Sequence, residues 1–330
     1  MKAWVVRQWG PPESMVFEDV EDRPPAAGML RVKIEAAALN FFDALLVQGT
    51  YQVKPDFPFT PGAEVAGTVV AAPEGSGFAP GDRVQAGFPV NQVWMGGYAE
   101  MADTLPVAAR RIPDSMSFAD AAAFWLVYQT GHFGLHRRAN LQPGETLLVH
   151  GGAGGVGSAA IQLGKAAGAK VIATAGSDDK VELCRRLGAD HAINYKTQDF
   201  VDEVKRLTDQ QGVDVVYDPI GGDVFDKSTK CIAFEGRIIV IGFASGRIPE
   251  VKANHVLVKN YSVVGLHWGA YGMRRPDLID EATRDLYAMY EAGKLKPHIS
   301  ATYPLGRAVE ALKAVSSGQT TGKVLLTADE

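Results

Sequence analysis

ETLLVHGGAGGVGSAAIQLGKAAGAKVIATAGSDDK, from Glu145 to Lys180, is the stretch that decides the fold. Thr146 to His150 is short, apolar and ended by glycine, the pattern of a buried strand, whereas Val156 to Ala167 carries apolar residues at helical spacing. Between them Gly152-Ala153-Gly154-Gly155-Val156-Gly157 fits G-x-G-x-x-G, and a second apolar strand, Lys170 to Ala175, follows. A glycine triplet alone says little; strand, glycine loop, helix and strand in that order give it meaning. A tight turn needs backbone angles that a side chain resists, and a pyrophosphate must come close enough to touch main-chain N–H groups. The first helical turn has unpaired N–H groups and the positive end of a dipole, so it holds an anion without a lysine in the loop. The stretch therefore predicts a dinucleotide site, against the plainer reading of a glycine-rich turn with no ligand.

The end of the second strand bears on which dinucleotide. NAD sites place Asp or Glu there to bond the ribose 2′-hydroxyl, whereas a 2′-phosphate needs donors and positive charge. Here Gly176 leads into Ser177-Asp178-Asp179-Lys180, so the carboxylates fall in the first turn of the next helix. Ser177 caps that helix, and acids favour its N-terminus. Ser177 and Lys180 can instead face a phosphate, which Asp178 and Asp179 would repel if they pointed inward. The acid stands in the wrong place for NADH, and the reading favours NADPH.

The chain's 330 residues have room for two domains with their own cores. A composition of 46% hydrophobic and 22% charged residues is that of a globular protein. The net charge of −5 leaves no basic footprint, so nucleic acid as the main partner and an anionic membrane surface are not expected. Cys184 and Cys231 lie far apart in helix-like stretches, outside any CxxC pair, and read as buried thiols. The N-terminus lacks a secretory h-region and no apolar run reaches the length of a membrane span, which makes a cytoplasmic enzyme the simplest expectation.

Residues 1 to about 120 read as short strands punctuated by Gly and Pro: Lys2 to Val6, Val16 to Glu18, Leu30 to Ala38, Val65 to Ala71, Arg83 to Ala86 and Tyr98 to Ala102. That spacing predicts an irregular, largely antiparallel β domain. Ser117 to Leu135 reads as a helix. Strand and helix then alternate: after Lys170 to Ala175 come helix Lys180 to Leu187, strand His191 to Asn194, helix Asp199 to Thr208, strand Val213 to Tyr217, helix Phe225 to Phe234 and strand Arg237 to Ile241. Apolar strands separated by amphipathic helices imply a doubly wound parallel sheet. Tyr261 to Leu266 is its expected last strand. Helices near Asp277 to Glu291 and Arg307 to Val315, then a strand at Lys323 to Leu326, are expected to return to the first domain. The fold class is α/β, divided as 1–122 for a substrate domain, 123–267 for a nucleotide-binding domain and 268–330 for a return to the substrate domain.

The motifs AALNFFDALLVQGTY (Ala37 to Tyr51), PGAEVAG (Pro61 to Gly67), GDRV (Gly81 to Val84), GGYAE (Gly96 to Glu100), GGAGGVG (Gly151 to Gly157), VVYDPIGG (Val215 to Gly222) and TGKVLL (Thr321 to Leu326) occur in one order across nearly the whole chain. In this the sequence resembles the medium-chain dehydrogenase/reductase superfamily, in its zinc-independent quinone oxidoreductase branch of zeta-crystallin-like proteins. The resemblance implies a GroES-like N-terminal domain, a Rossmann domain and an active cleft between them. It also implies a homodimer, formed by Tyr261 to Leu266 at a sheet edge pairing with its copy.

Zinc alcohol dehydrogenases of that superfamily begin a catalytic metal site with a cysteine and a histidine where this chain has Asn40 and Ala63. Neither replaces a thiolate or an imidazole, the clustered cysteines of a structural zinc site are missing too, and no metal is expected. His132 and His136 stand four apart on a predicted helix without an HExxH pattern and read as surface or partly buried residues. His150 reads as a packed strand-end residue; Glu64 and Asp43 read as hydrogen-bonding or ion-pairing residues.

Without a metal, the chemistry left is hydride delivery to an acceptor that is already activated, held over the nicotinamide with water excluded. Quinones fit, and so do enone or enoyl-thioester double bonds; a reading of another class is a non-catalytic, crystallin-like NADPH-binding protein. The resemblance places Asn40 near the nicotinamide and Tyr51 at the cleft, where Tyr51 is either the proton donor or an aromatic wall. Thr130 is either a nicotinamide contact or a helix-packing residue. The family pattern puts Gly154, Gly155 and Val156 at the pyrophosphate, and Gly176, Ser177, Lys180 and Tyr195 around the adenosine phosphate. Phe243, Ala244 and Ser245, then Leu266, His267 and Trp268, follow strands whose C-terminal ends form the ligand crevice in this architecture. Lys323 matches a terminal family lysine near the cofactor, against a solvated lysine beside a strand. Phe57, Phe59, Trp94, Trp125 and Trp268 are candidates to wall a planar-acceptor site.

Overall fold

The computed structural model describes residues 1–87 and 96–328, so Trp94 lies outside the described residues. The chain forms two compact units, Met1–Leu126 with Pro297–Glu330, and Val127–Lys296. These limits differ from the three-part division read from the sequence. The elements in chain order are β1 (Lys2–Val5), β2 (Val16–Asp19), β3 (Leu30–Leu39), α1 (Phe41–Val47), β4 (Glu64–Ala71), β5 (Arg83–Gly87), β6 (Met101–Thr104), β7 (Ala109–Arg111) and α2 (Phe118–His132). They continue with β8 (Thr146–Val149), α3 (Gly155–Ala166), β9 (Lys170–Ala175), α4 (Asp178–Arg186), β10 (His191–Asn194), α5 (Phe200–Leu207), β11 (Val213–Asp218), α6 (Gly222–Ser228) and β12 (Ile232–Val240). The last are α7 (Ala253–Lys259), β13 (Ser262–Gly265), α8 (Gly269–Arg274), α9 (Pro276–Glu291), β14 (Ile299–Pro304), α10 (Ala308–Ser316) and β15 (Lys323–Thr327).

In the first unit one sheet runs β14-β15-β3-β4-β5-β7, with β6 also paired to β3. The long strand β3 is antiparallel to both β4 and β15, and its buried Leu30, Val32 and Ile34 share a core with Val65, Val84 and Leu326. The register sets Val324 opposite Leu39, which brings Lys323 to the residue after β3, Asn40. Helix α1, unassigned in the sequence reading, starts there: the Asp43 carboxylate accepts the Asn40 N–H at 2.8 Å, and Ala44, Leu46 and Val47 are buried. An N-terminal acceptor three residues into the helix and an apolar face are enough to make so short a helix.

In the second unit six parallel strands run β10-β9-β8-β11-β12-β13. The chain winds outward from β8 in one direction and from β11 in the other, so the C-terminal ends of β8 and β11 flank the switch point where such sheets bind ligands. Leu148, Ile172, Val216 and Ile238 share the core of this unit with Phe225 and Tyr261.

One expected element is corrected. Residues 225–234 are not one helix: α6 ends at Ser228, and β12 begins at Ile232, opposite Val213. The apolar run fits either pattern, and pairing with a buried strand decides it. Cys231 therefore sits in the turn before β12, while Cys184 lies in α4; both are buried, and burial pushes each thiol up to about 12.

Residues 268–296 pack with the second unit because α9 buries Leu278, Ile279, Ala282 and Leu286, and its Thr283 hydroxyl accepts from the buried Gln129 amide at 2.9 Å. Among the described residues no helix is long and apolar enough to cross a membrane.

Candidate functional site

The glycine loop after β8 divides its work. Gly151 has φ +61°, in the left-handed region. A Cβ on Gly152 would stand 2.8 Å from Cys184 Sγ and 2.9 Å from Ala173 Cβ, and one on Gly157 would stand 2.2 Å from the Gly151 carbonyl oxygen. Those two positions hold the loop and α3 against β9, and only hydrogen fits. Gly154 is different: it is exposed, and its added Cβ would meet nothing closer than 3.3 Å. It is the N-cap of α3, with its own N–H given to the Gly151 carbonyl at 2.9 Å. The N–H groups of Gly155, Val156 and Gly157 have no partner within the helix, as in any first turn. Three convergent donors at the positive end of a 12-residue helix, at the switch point, suit a pyrophosphate.

Beyond β9, a Cβ on Gly176 would come within 2.6 Å of the Tyr195 hydroxyl, so the half-exposed Tyr195 lies over that glycine. Ser177 is the N-cap of α4, as expected, but its side chain makes no capping bond. Its hydroxyl is not spent on the helix. Asp178 Oδ1 accepts from Asn194 Nδ2 at 2.7 Å, Asp179 is exposed, and Lys180 is half-buried in the first turn of α4.

The ends of β11, β12 and β13 form the other side of the switch point. Buried Asp218 accepts the N–H groups of Ile220 and Gly221 at 2.8 and 3.0 Å; burial raises its carboxyl and those two bonds oppose the rise. Gly221 and Gly222 then turn the chain at φ +68° and +54°. The segment Phe243-Ala244-Ser245 is held on this loop, with the Ala244 N–H given to the Pro219 carbonyl and the Ser245 N–H to that of Ile220. Leu266 donates its N–H to the Val240 carbonyl at 3.1 Å, His267 is exposed and Trp268 is half-buried before α8. Thr130 is buried in α2.

In the first unit the structure assembles a polar centre. Lys323 is 3% exposed, and its ammonium donates to Glu64 Oε1 at 2.6 Å, Asn40 Oδ1 at 2.7 Å and the Leu39 carbonyl at 3.0 Å. An ammonium has three donors, and all are used; this is not the solvated lysine that a strand end allows. Asn40 Nδ2 donates to Glu64 Oε1 at 3.0 Å, and the other oxygen of Glu64 accepts the Leu126 N–H at 2.8 Å. Asp43 Oδ2 accepts from the Tyr98 hydroxyl at 3.1 Å, while its buried Oδ1 has no partner among the described residues. Burial pushes the Asp43 carboxyl up to about 7 against the pull of the Asn40 N–H and the Lys323 charge.

Tyr51 is half-buried and stacked on Phe42, ring centroids 5.3 Å apart. Burial, and then the Asp43 charge, raise its hydroxyl above the ordinary tyrosine value, so it keeps its proton. Phe57 and Phe59 come together with Trp9, whereas Trp125 packs against Gly87.

The histidines do other work. His132 and His136 have ring centroids 4.9 Å apart, His132 Nε2 is 3.6 Å from Asp285 Oδ2, and burial depresses both, His132 to about 4. His150 is enclosed between the Thr174 and Ser228 hydroxyls, and burial lowers it to about 3. Among the described residues no three His, Cys, Asp or Glu side chains are grouped to hold a metal ion.

The sequence reading missed Asn194 as a partner of Asp178, and the link from Lys323 to Asn40. Both depend on which residues the strand registers bring side by side.

Residues 26–107 match the family described as alcohol dehydrogenase GroES-like domain, and residues 155–284 that described as zinc-binding dehydrogenase. The chain is 41% identical to a quinone oxidoreductase-like protein 2 homolog of Nematostella vectensis over 300 residues, 90% of this chain and 81% of that protein. Among solved structures it is similar to Escherichia coli quinone oxidoreductase complexed with NADPH, at 30% identity and a TM-score of 0.91, over 99% of this chain and 100% of that one. It is also similar to the CurK enoyl reductase, at 27% identity and a TM-score of 0.86, over 99% of each chain.

Proposed function

The chain belongs to the medium-chain dehydrogenase/reductase superfamily, in its quinone oxidoreductase branch, and from that premise we propose that it is an NADPH-dependent, zinc-independent reductase of quinones. Its two parts are a GroES-like domain and a Rossmann-like domain with a parallel sheet. NADPH, when bound, supplies the hydride. The N–H groups of Gly155, Val156 and Gly157 would hold its pyrophosphate; Gly154, expected among those donors, gives its N–H to Gly151 and would instead let the phosphate approach, while Ser177, Lys180 and Tyr195, about Gly176, would take the 2′-phosphate. Thr130, the Phe243-Ala244-Ser245 segment and Leu266-His267-Trp268 orient the nicotinamide. Tyr51, protonated across the ordinary pH range, donates a hydrogen bond or proton to the acceptor oxygen as charge develops on it.

The observation that carries the metal-independent reading is the Lys323 ammonium, 2.7 Å from Asn40 Oδ1. Zinc relatives of the superfamily place a thiolate where Asn40 stands and an imidazole where Ala63 stands. Here the amide is spent on Lys323 and Glu64, Ala63 has no donor, and a zinc ion would face a fixed positive charge. The residues do not fit the metal, so alkoxide chemistry has no Lewis acid and the acceptor must carry its own activation. A conjugated carbonyl does so.

The test is NADPH oxidation with a soluble quinone, an aliphatic enone and an enoyl thioester in parallel, each repeated with NADH. We expect quinone turnover with NADPH preferred. Activity on the enone and thioester alone would replace the quinone by the second reading, a double-bond reductase, which the likeness to an enoyl reductase favours. Tight NADPH binding with no turnover on any acceptor would favour a binding protein. A homodimer belongs to the same reading: β13 pairs on one side with β12 and is the outer strand of its sheet, and nearby Leu257 and Val258 are 75% and 79% exposed. Sedimentation at micromolar concentration should give a dimer; monomer alone would refute it.

A further inference from the structure

Two carboxylates, Asp178 and Asp179, follow the strand end at which a dinucleotide's adenosine ribose is read. A carboxylate free to turn onto that ribose accepts a bond from a 2′-hydroxyl and repels a 2′-phosphate, so the chain must dispose of it to prefer NADPH. The structure shows where Asp178 is disposed of: its Oδ1 takes the Nδ2 hydrogen of Asn194 at 2.7 Å.

Asn194 is built for this. It is the last residue of β10, is 7% exposed and lies opposite Ala175 in the register. Its side-chain oxygen accepts the Lys196 N–H at 3.1 Å, which identifies the other end of the amide as the donor offered to Asp178. Its own N–H is given to Gln198 Oε1 at 3.3 Å. Because the sheet order is β10-β9-β8, the bond draws the carboxylate to the side of β9 away from β8 and the glycine loop. Asp179, one residue on, lies about 100° further round the helix. Placed about the β9 end are the Ser177 hydroxyl, which makes no capping bond, the half-buried Lys180 in the first turn of α4, and the Tyr195 hydroxyl over Gly176.

We propose that Asn194 is a specificity-determining residue, which sets the preference for the 2′-phosphorylated nucleotide by holding the Asp178 carboxylate toward β10. It acts through Asp178 and is a positioning residue. The inference rests on the NADPH reading above.

The experiment is fluorescence titration of the purified full chain with NADPH and with NADH, comparing Kd ratios for the wild type, Asn194→Ala, Asp178→Asn and the double variant, with a melting curve for each. Asn194→Ala should cut the NADPH preference about tenfold, the scale of one solvent-screened like-charge contact. The double variant should restore the ratio to within about twofold of wild type, since the freed charge is then gone. Asp178→Asn alone, at an exposed position, should also leave the ratio within about twofold, because the carboxylate is already held aside. A preference that survives Asn194→Ala in a folded protein overturns the proposal, and so does a double variant that is not rescued. If Asn194→Ala does not fold, Asp178→Asn decides: a tenfold gain in NADPH preference would mean that Asp178 already faces the phosphate. A wild type that binds both nucleotides equally overturns the NADPH reading itself, a result distinct from the other three.

Discussion

The glycine loop of the second unit and the polar centre of the first are both candidate machinery, and they are built on opposite principles. The loop works by leaving side chains out: Gly152 and Gly157 let α3 close on the sheet, and the donors are backbone N–H groups. The centre works by filling a buried space with charge: Lys323, Glu64 and Asn40 satisfy one another at 2.6 to 3.0 Å. The loop is made by local sequence, and the centre by residues 283 and 259 positions apart. Removing a hydrogen-sized clearance should spoil the first, and removing one charge should spoil the second.

The largest effect is expected in the centre. Lys323→Met leaves the Glu64 carboxylate buried without its cation and should cost about 3 to 5 kcal/mol in urea unfolding. Lys323→Met with Glu64→Gln should recover much of that loss. A single variant as stable as wild type would mean that the pair is not closed in solution.

Next comes the loop. Gly157→Ala drives a methyl to 2.2 Å from the Gly151 oxygen and should cost about 1 to 3 kcal/mol and abolish nucleotide binding, whereas Gly154→Ala should cost less than about 1 kcal/mol. Equal losses in calorimetry and in NADPH titration would erase the distinction between packing glycines and open ones.

A pH titration sharpens the comparison. The Asp43 carboxyl is raised in the folded state from 3.8 to about 7, so the folded protein binds more protons than the unfolded one between those values. Its contribution to stability is complete below pH 3.8 and is lost as pH rises through about 7. His132, His136 and His150, depressed in the folded state, act with the opposite sign, so the difference between wild type and Asp43→Asn isolates the carboxyl. Asp43→Asn should gain on wild type as pH rises across that window. A constant difference would place Asp43 at its ordinary value.

The smallest effect concerns Tyr217, whose buried hydroxyl has no partner among the described residues. Tyr217→Phe should be neutral or stabilising by about 1 kcal/mol in thermal unfolding. A loss of stability would reveal a partner such as bound water.

The same contrast governs what could be read without a structure. The parallel sheet and its glycine loop follow from short-range pattern: Lys170–Ala175 and His191–Asn194 have the limits that apolar runs and turn residues assign. Where a run fits two periods, as at Cys231 to Phe234, strand pairing decides and the local pattern misleads. Helix α1 is hard to read locally because it is only seven residues long and its start rests on one carboxylate, Asp43, three residues after Asn40. Lys323 and Asn194 were unreadable as partners of Asn40 and Asp178 because only sheet register brings them together.

The central claim is that this chain reduces its acceptor with nucleotide and protein groups alone. The most direct measurement is quinone-dependent NADPH oxidation before and after exhaustive chelation, with the zinc content of the same sample determined by elemental analysis. Zinc well below one atom per chain and an unchanged rate after chelation are expected. One zinc per chain, with turnover lost on its removal and restored on its return, would contradict it.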